Sequence, residues 1–341
     1  MSDRDPVVDV HAHAVIPAAM ELIEGAAAEA WQRNDEAAQG EASVRHSRAT
    51  IRNVLPLLLD LDARLDAMDR MRVDVQLVSP SPVHYHEWAD AERAERITRT
   101  VNEGIADLAA RRPDRIAGLG LVPLHHPHLA VAELTRAVTD HGLHGVEIST
   151  TAGGRELSHP ELEPFWARAE ELGALVFVHP WGCSLAPRLS EHYLANTVGQ
   201  PTETTVALSH LIFSGLLDRR PGLRIIAAHG GGYLPFYIGR SNHAWSVRPD
   251  AQTPSERPSA YLRRLYFDSL VYEPAALAAL IAQVGVDRVL LGSDFPFDMG
   301  VEDPVERLEA VPGLTEDERA AIRGGTAAEL LSHPHVHATT R

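Results

Sequence analysis

Eight short β-branched or apolar runs recur along the chain, separated by stretches with helical spacing, and this alternation constrains the fold more than any other feature. The runs are Val7–His13, Val73–Pro80, Arg115–Leu124, Gly145–Thr150, Leu175–Pro180, Leu223–His229, Leu265–Val271 and Val289–Pro296. Between them lie amphipathic stretches such as Ala91–Ala110, Leu129–His141, Pro160–Leu172 and Pro274–Val284. Strands alternating with helices of this length pair in parallel through right-handed crossovers. Eight such units favour a closed (β/α)8 TIM-type barrel over an open sheet.

A barrel of this kind takes about 250 residues before insertions, and this chain has 341. Much of the excess falls in two long connections, Val15–Leu59 after the first strand and Trp181–Arg220 after the fifth. Connections of that length are commonly functional. Both leave the C-terminal ends of strands, where barrel enzymes build their sites, so both are expected to cover substrate. The expectation is one domain over residues 1–341, with the barrel spanning about 7–331 and a tail at 332–341. His333, His335 and His337 in that tail are read as a solvated end rather than a metal grip.

Composition narrows the chemistry. The single cysteine, Cys183, excludes an internal disulfide framework and fits a reducing compartment. No charged-then-apolar leader precedes the first strand and no apolar run approaches the roughly 20 residues that span a bilayer, so a cytoplasmic protein is expected. A formal charge of −16 argues against nucleic acid or an anionic membrane as partner. The sequence contains no lysine. A Schiff-base lysine, a phosphate-loop lysine and a carbamylated lysine bridging two metals are therefore excluded.

The strongest local signal is Asp9-Val10-His11-Ala12-His13 at the end of the first strand. Residues two apart on a strand share a face, so His11 and His13 should both aim into the barrel mouth. His179 ends the fifth strand in Val178-His179-Pro180, and Asp294 ends the eighth in Gly292-Ser293-Asp294-Phe295-Pro296. Three imidazoles and a carboxylate at one barrel end suit a single divalent ion with a position left open. The pairs His84/His86 and His126/His128 share the His-x-His spacing but are read as loop histidines near the rim. His229 precedes Gly230-Gly231-Gly232, whose missing side chains would let backbone approach a ligand. Beside such an ion a histidine is suited to general acid–base work, the alternatives being a further ligand or a hydrogen-bonding support.

These motifs resemble the amidohydrolase superfamily, and within it the nonoxidative decarboxylases typified by 2-amino-3-carboxymuconate-6-semialdehyde decarboxylase. Gly239-Arg240, Val73-Asp74-Val75-Gln76, Phe267-Asp268-Ser269 and Phe297 also match in kind. The resemblance implies that His11, His13, His179 and Asp294 bind one divalent metal per chain, zinc foremost and manganese as the alternative. It implies that His229 is the catalytic histidine; beside it, Asp294 is placed to carry a proton as well. It places Arg52 on a substrate carboxylate, Phe297 as an aromatic wall and Trp181 beside the third histidine. It further implies a homodimer in which Arg240 completes the neighbouring site. The chain departs from that branch around His192 and Tyr193, at Gly325-Thr326 and through most of Val15–Ala49, which detaches the muconate substrate from the inference.

Two reactions fit this set. One is nonoxidative decarboxylation of a small unsaturated or aromatic carboxylic acid. The other is hydrolysis or hydration of a small carboxylate-bearing substrate at the same ion. The missing lysine and the paired arginines favour the first.

Overall fold

The computed structural model describes residues 5–332; the histidines of the tail, His333, His335 and His337, lie outside them. Eight parallel strands form the barrel: β1 (Val8–Ala14), β2 (Val75–Pro80), β3 (Ile116–Gly118 and Gly120–Leu121, interrupted at Leu119), β4 (Gly145–Ile148), β5 (Leu175–Val178), β6 (Arg224–Ala227), β7 (Tyr266–Asp268) and β8 (Val289–Leu290). Each pairs with its successor. The ring closes where Val10 N–H donates to the Leu291 carbonyl at 2.9 Å, His13 N–H donates to that of Phe295 at 2.8 Å, and Ala12 bridges Phe295. The sequence runs are longer than the paired segments because each carries its chain beyond the ladder into the loop that builds the site.

One apolar cluster takes alternate residues from successive strands: Val8 and Val10, Leu77, Leu119, Leu175 and Phe177, Ile226 and Ala228, and Leu290. These fill the barrel. The intervening residues, among them Val78, Val146, Val176, Val178, Ile225 and Phe267, belong to the larger cluster between the strands and the helices. The helices begin and end on local signals. Asp90 accepts from Arg93 N–H at 2.9 Å to start α4 (Ala91–Arg111). Pro127 stands at the first turn of α5 (Pro127–Thr139), and Gly173, left-handed at φ 60°, ends α6 (Glu163–Leu172).

The first long connection is largely helical. It holds α1 (Ala26–Gln39) and α2 (Glu41–Leu59), capped by Gly25 and Gly40 at φ 90° and 85°, before α3 (Leu61–Arg70) returns to the barrel. The second connection includes the helix that follows β5, α7 (Gln200–Phe213), so its irregular part is shorter than residues 181–220. The two insertions meet: a Cβ on Gly40 would lie 1.7 Å from the Ser190 carbonyl oxygen, a position only glycine fills.

Candidate metal centre

The first strand does not alternate simply. Its register against β2 slips between Asp9 and Ala12, a bulge. With Val8 and Val10 facing the barrel interior, strict alternation would send Ala12 inward and both histidines out. The bulge reverses the parity beyond Val10. His11 and His13 become fully buried at the centre, and Ala12 joins the outer layer.

His11, His13, His179 and Asp294 each bring one ligand atom into a group lying within 4.8 Å of one another, all buried. His11 Nε2 and His13 Nε2 both stand 3.4 Å from Asp294 Oδ1. Neither Nε2 has a hydrogen-bond partner, nor does either ring nitrogen of His179. Buried unpartnered lone pairs are costly. One such nitrogen from each of three histidines, converging beside a carboxylate, makes the donor set of a mononuclear divalent site, and these residues fit such an ion.

The surroundings prepare the donors. Burial would raise the Asp294 carboxyl, but His11, then His13 and His229, outweigh it and hold it well below the usual carboxylate range. Burial, reinforced by His13 and His11, holds His179 well below the usual imidazole value, so one ring nitrogen keeps a free lone pair. Asp268 anchors the far side. Its Oδ2 lies 2.6 Å from His11 Nδ1 and accepts His229 N–H at 2.8 Å, while Oδ1 accepts Gly230 N–H at 2.7 Å. A ring locked through Nδ1–H presents Nε2 to a metal. Gly292 permits this approach, since a Cβ there would meet Asp268 Cβ at 2.7 Å.

His229 Nε2 stands 3.6 Å from Asp294 Oδ2, and its side chain is 12% exposed where the ligand histidines His11 and His13 are sealed. Burial lowers its basicity, but Asp294 overrides this and raises it above the ordinary histidine value. His229 and Asp294 both hold left-handed backbone, φ 54° and 60°, a conformation non-glycine residues keep where surroundings impose it. The glycines after His229 are required by packing. Gly232 has φ 64°, and a Cβ there would strike the Pro201 carbonyl oxygen at 2.1 Å.

Phe297 lies 5.5 Å from the His13 ring, centroid to centroid. Trp181 is half-buried and packs against the outer hydrophobic layer. Arg52 and Arg240, on α2 and on α8 (Leu234–Val247), are exposed and make no ion pair or hydrogen bond among the described residues. His84 and His86 lie in the loop that follows β2, as expected, but they are not exposed there. Both are buried; burial pushes their pKa values down to about 3 and about 4, and each is tied to backbone, His84 by accepting Ile16 N–H at 2.9 Å and His86 against the His84 carbonyl at 2.8 Å.

Sequence reasoning missed a further buried carboxylate. Glu147 faces inward on β4 between Val146 and Ile148, with Tyr85 and Ser79 donating to its two oxygens. A lone acid flanked by apolar β-branched residues in a buried strand was the available signal.

A family model described as amidohydrolase matches residues 8–332. The chain is similar to 2-amino-3-carboxymuconate-6-semialdehyde decarboxylase of Dictyostelium discoideum, 32% identical over 330 residues, covering 96% of this chain and 92% of the relative. Among solved structures it is similar to 2,6-dihydroxybenzoate decarboxylase complexed with 2,6-dihydroxybenzoate, at TM-score 0.81 and 25% identity, covering 96% of this chain and 99% of the other. The fold is shared with a dihydroxybenzoic acid decarboxylase from Polaromonas sp. JS666 with bound manganese, at TM-score 0.80 and 22% identity, covering 96% and 97%.

Proposed function

The chain belongs to the amidohydrolase family, and from that premise we propose that it is a metal-dependent nonoxidative decarboxylase of a small unsaturated or aromatic carboxylic acid. The observation that carries this is the convergence of His11, His13, His179 and Asp294 around unpartnered donor atoms, with His229 as the most exposed imidazole beside them. Relatives covering nearly the whole chain act on acids of this class.

Loss of CO2 directly from an sp² carbon would leave a vinyl or aryl carbanion, so protonation of that carbon comes first. His229, 3.6 Å from Asp294, is the group to deliver the proton, and Asp294 is the carboxylate with which it exchanges one. The C–CO2 bond then breaks, its electron pair restores the double bond, and CO2 leaves. When bound, the ion supplies Lewis acidity that fixes and polarises the acid's oxygens. Phe297, beside His13, forms an apolar wall for a flat substrate, with Trp181 after the third histidine proposed as a further one.

Zinc and manganese are the two metals the proposal admits. A chain of net charge −16 needs a local cation to hold an anionic acid. Arg52 and Arg240 are assigned that role, since a guanidinium meets a carboxylate bidentately. Arg240 is assigned to the neighbouring site of a homodimer. Supporting this, α8 and the residue before it expose Tyr233, Phe236, Tyr237 and Val247 along with Arg240, an apolar stripe of the kind that subunit contacts cover. A cytoplasmic setting goes with the proposal.

The test is direct. Protein loaded with zinc or manganese is incubated with a panel of hydroxybenzoates and carboxymuconates while CO2 is followed. Release of CO2 in step with loss of one acid is the expected result. Turnover of an amide, ester or lactone with none of the acids would replace decarboxylation with hydrolysis.

A further inference from the structure

The ligand histidines of the first strand are held from behind by different means. His11 is bonded directly to Asp268. On the Nδ1 side His13 meets no carboxylate at hydrogen-bonding distance; Nδ1 lies 3.1 Å from Ser79 Oγ and 3.6 Å from Glu147 Oε2. Ser79 spends its one hydrogen on Glu147 Oε2 at 2.5 Å, and Tyr85 donates to Oε1 at 2.8 Å. The serine oxygen thus faces His13 with a lone pair, which requires the hydrogen of that ring to sit on Nδ1. Nε2 is then left as the lone-pair nitrogen, aimed at the centre with no protein partner.

We propose that Glu147, acting through Ser79, is the positioning residue that fixes the tautomer and orientation of His13 for the metal. The inference rests on the metal centre and not on the reaction assigned to it. Glu147, Ser79 and His13 are all buried, on β4, β2 and β1, so the relay ties three strands of the barrel wall together. An apolar side chain would fill the Glu147 position without the cost of burying a carboxylate. Among the described residues, the groups that hydrogen-bond to its oxygens are the serine beside the ligand and Tyr85, whose hydroxyl also reaches the His179 carbonyl at 3.4 Å. Outer partners of metal-bound histidines govern ligand basicity and ring orientation, and their loss typically weakens a site 10- to 100-fold.

The experiment compares wild type, Ser79→Ala, Glu147→Gln and the double variant, each loaded with one equivalent of zinc. Metal loss to excess chelator is timed by elemental analysis, and melting temperatures are taken with and without metal. Each single variant should lose zinc roughly 10- to 100-fold faster. The double variant should lose it no faster than the quicker single one, because the two residues act in series. Metal-free melting temperatures should stay close to wild type. Wild-type protein that takes up zinc alongside variants that release it within twofold of its rate would overturn the relay and leave the centre standing. Rates that multiply in the double variant, or metal-free melting temperatures that fall as far as the loaded ones, would also overturn it, reducing both residues to general packing. Wild-type protein that takes up no divalent ion would sink both the relay and the centre.

Discussion

Asp268 Oδ2 accepts from two residues at once, the His11 ring at 2.6 Å and the His229 backbone N–H at 2.8 Å. One carboxylate oxygen therefore sets the orientation of a metal ligand and the entry point of the proposed acid–base histidine. Burial would raise this carboxyl, but the His11 hydrogen bond and charge outweigh it and its pKa is lowered. It stays ionised while it performs both tasks.

Asp268→Asn should accordingly damage two properties together. Metal affinity should fall about 10- to 100-fold, since an amide holds the His11 tautomer less firmly. Turnover at saturating metal should remain depressed because the His229 loop has lost its anchor. Metal titration followed by steady-state kinetics of the fully loaded variant separates the two losses. Full recovery of kcat on loading would confine Asp268 to the ligand.

The ion itself is counted by elemental analysis. Purified protein should carry close to one divalent ion per chain, and His11→Ala or Asp294→Ala should lose most of it. Two tightly held ions per chain would contradict a centre built on four converging donors.

His229→Asn should keep the metal and the fold and lose roughly two to four orders of magnitude in turnover. The variant retains a polar side chain at φ 54°, a conformation asparagine tolerates better than most residues. If it sheds its metal and regains activity when metal is restored, His229 is a ligand or a support instead.

Beneath the centre, Arg64 is 1% exposed. Its guanidinium donates to the His13 carbonyl and, at 2.9 Å, to Gln76 Oε1, and Gln76 Nε2 donates to Asp9 Oδ2 at 3.1 Å. Burial lowers the Arg64 pKa to about 10, with Asp9 opposing the shift. Arg64→Met removes one end of a buried charged network and leaves Asp9 uncompensated, which should cost about 3–5 kcal/mol. Denaturant unfolding should report this as a lower midpoint with unchanged slope. A loss below about 1 kcal/mol would mean that Asp9 is neutral and the network carries no charge.

The barrel and the ligand set were legible because they rest on periodicity and on residue types with few other uses. The strand runs and the histidines at strand ends needed no tertiary information. The orientation of His11 and His13 was another matter. It depends on a bulge between Asp9 and Ala12, and bulges follow from register between strands rather than from either strand alone. The helical nature of the first insertion was hidden because Gly25 and Gly40, which cap its helices, look locally like loop punctuation. Glu147 was missed because an acid between two apolar strand residues gains meaning only from partners 62 and 68 positions away, Tyr85 and Ser79.

The last prediction joins assembly to chemistry. Arg240 is exposed on α8, unpaired among the described residues, within the stripe of Tyr233, Phe236, Tyr237 and Val247. An always-charged guanidinium delivered from a neighbour would give each site a fixed anchor for an acid, and a monomer would lack it. Mixing inactive His229→Asn subunits with inactive Arg240→Ala subunits should therefore restore activity. In each mixed dimer one site combines native His229 of the Arg240→Ala chain with native Arg240 of its partner. The other site carries both defects. Random exchange of equal amounts puts half of the dimers in the mixed form, so recovery should approach a quarter of the wild-type rate per total site, roughly the statistical limit for independent sites. Mass spectrometry reports whether exchange has occurred. Exchange without recovery would make Arg240 a residue acting within its own chain and leave the dimer without a catalytic role.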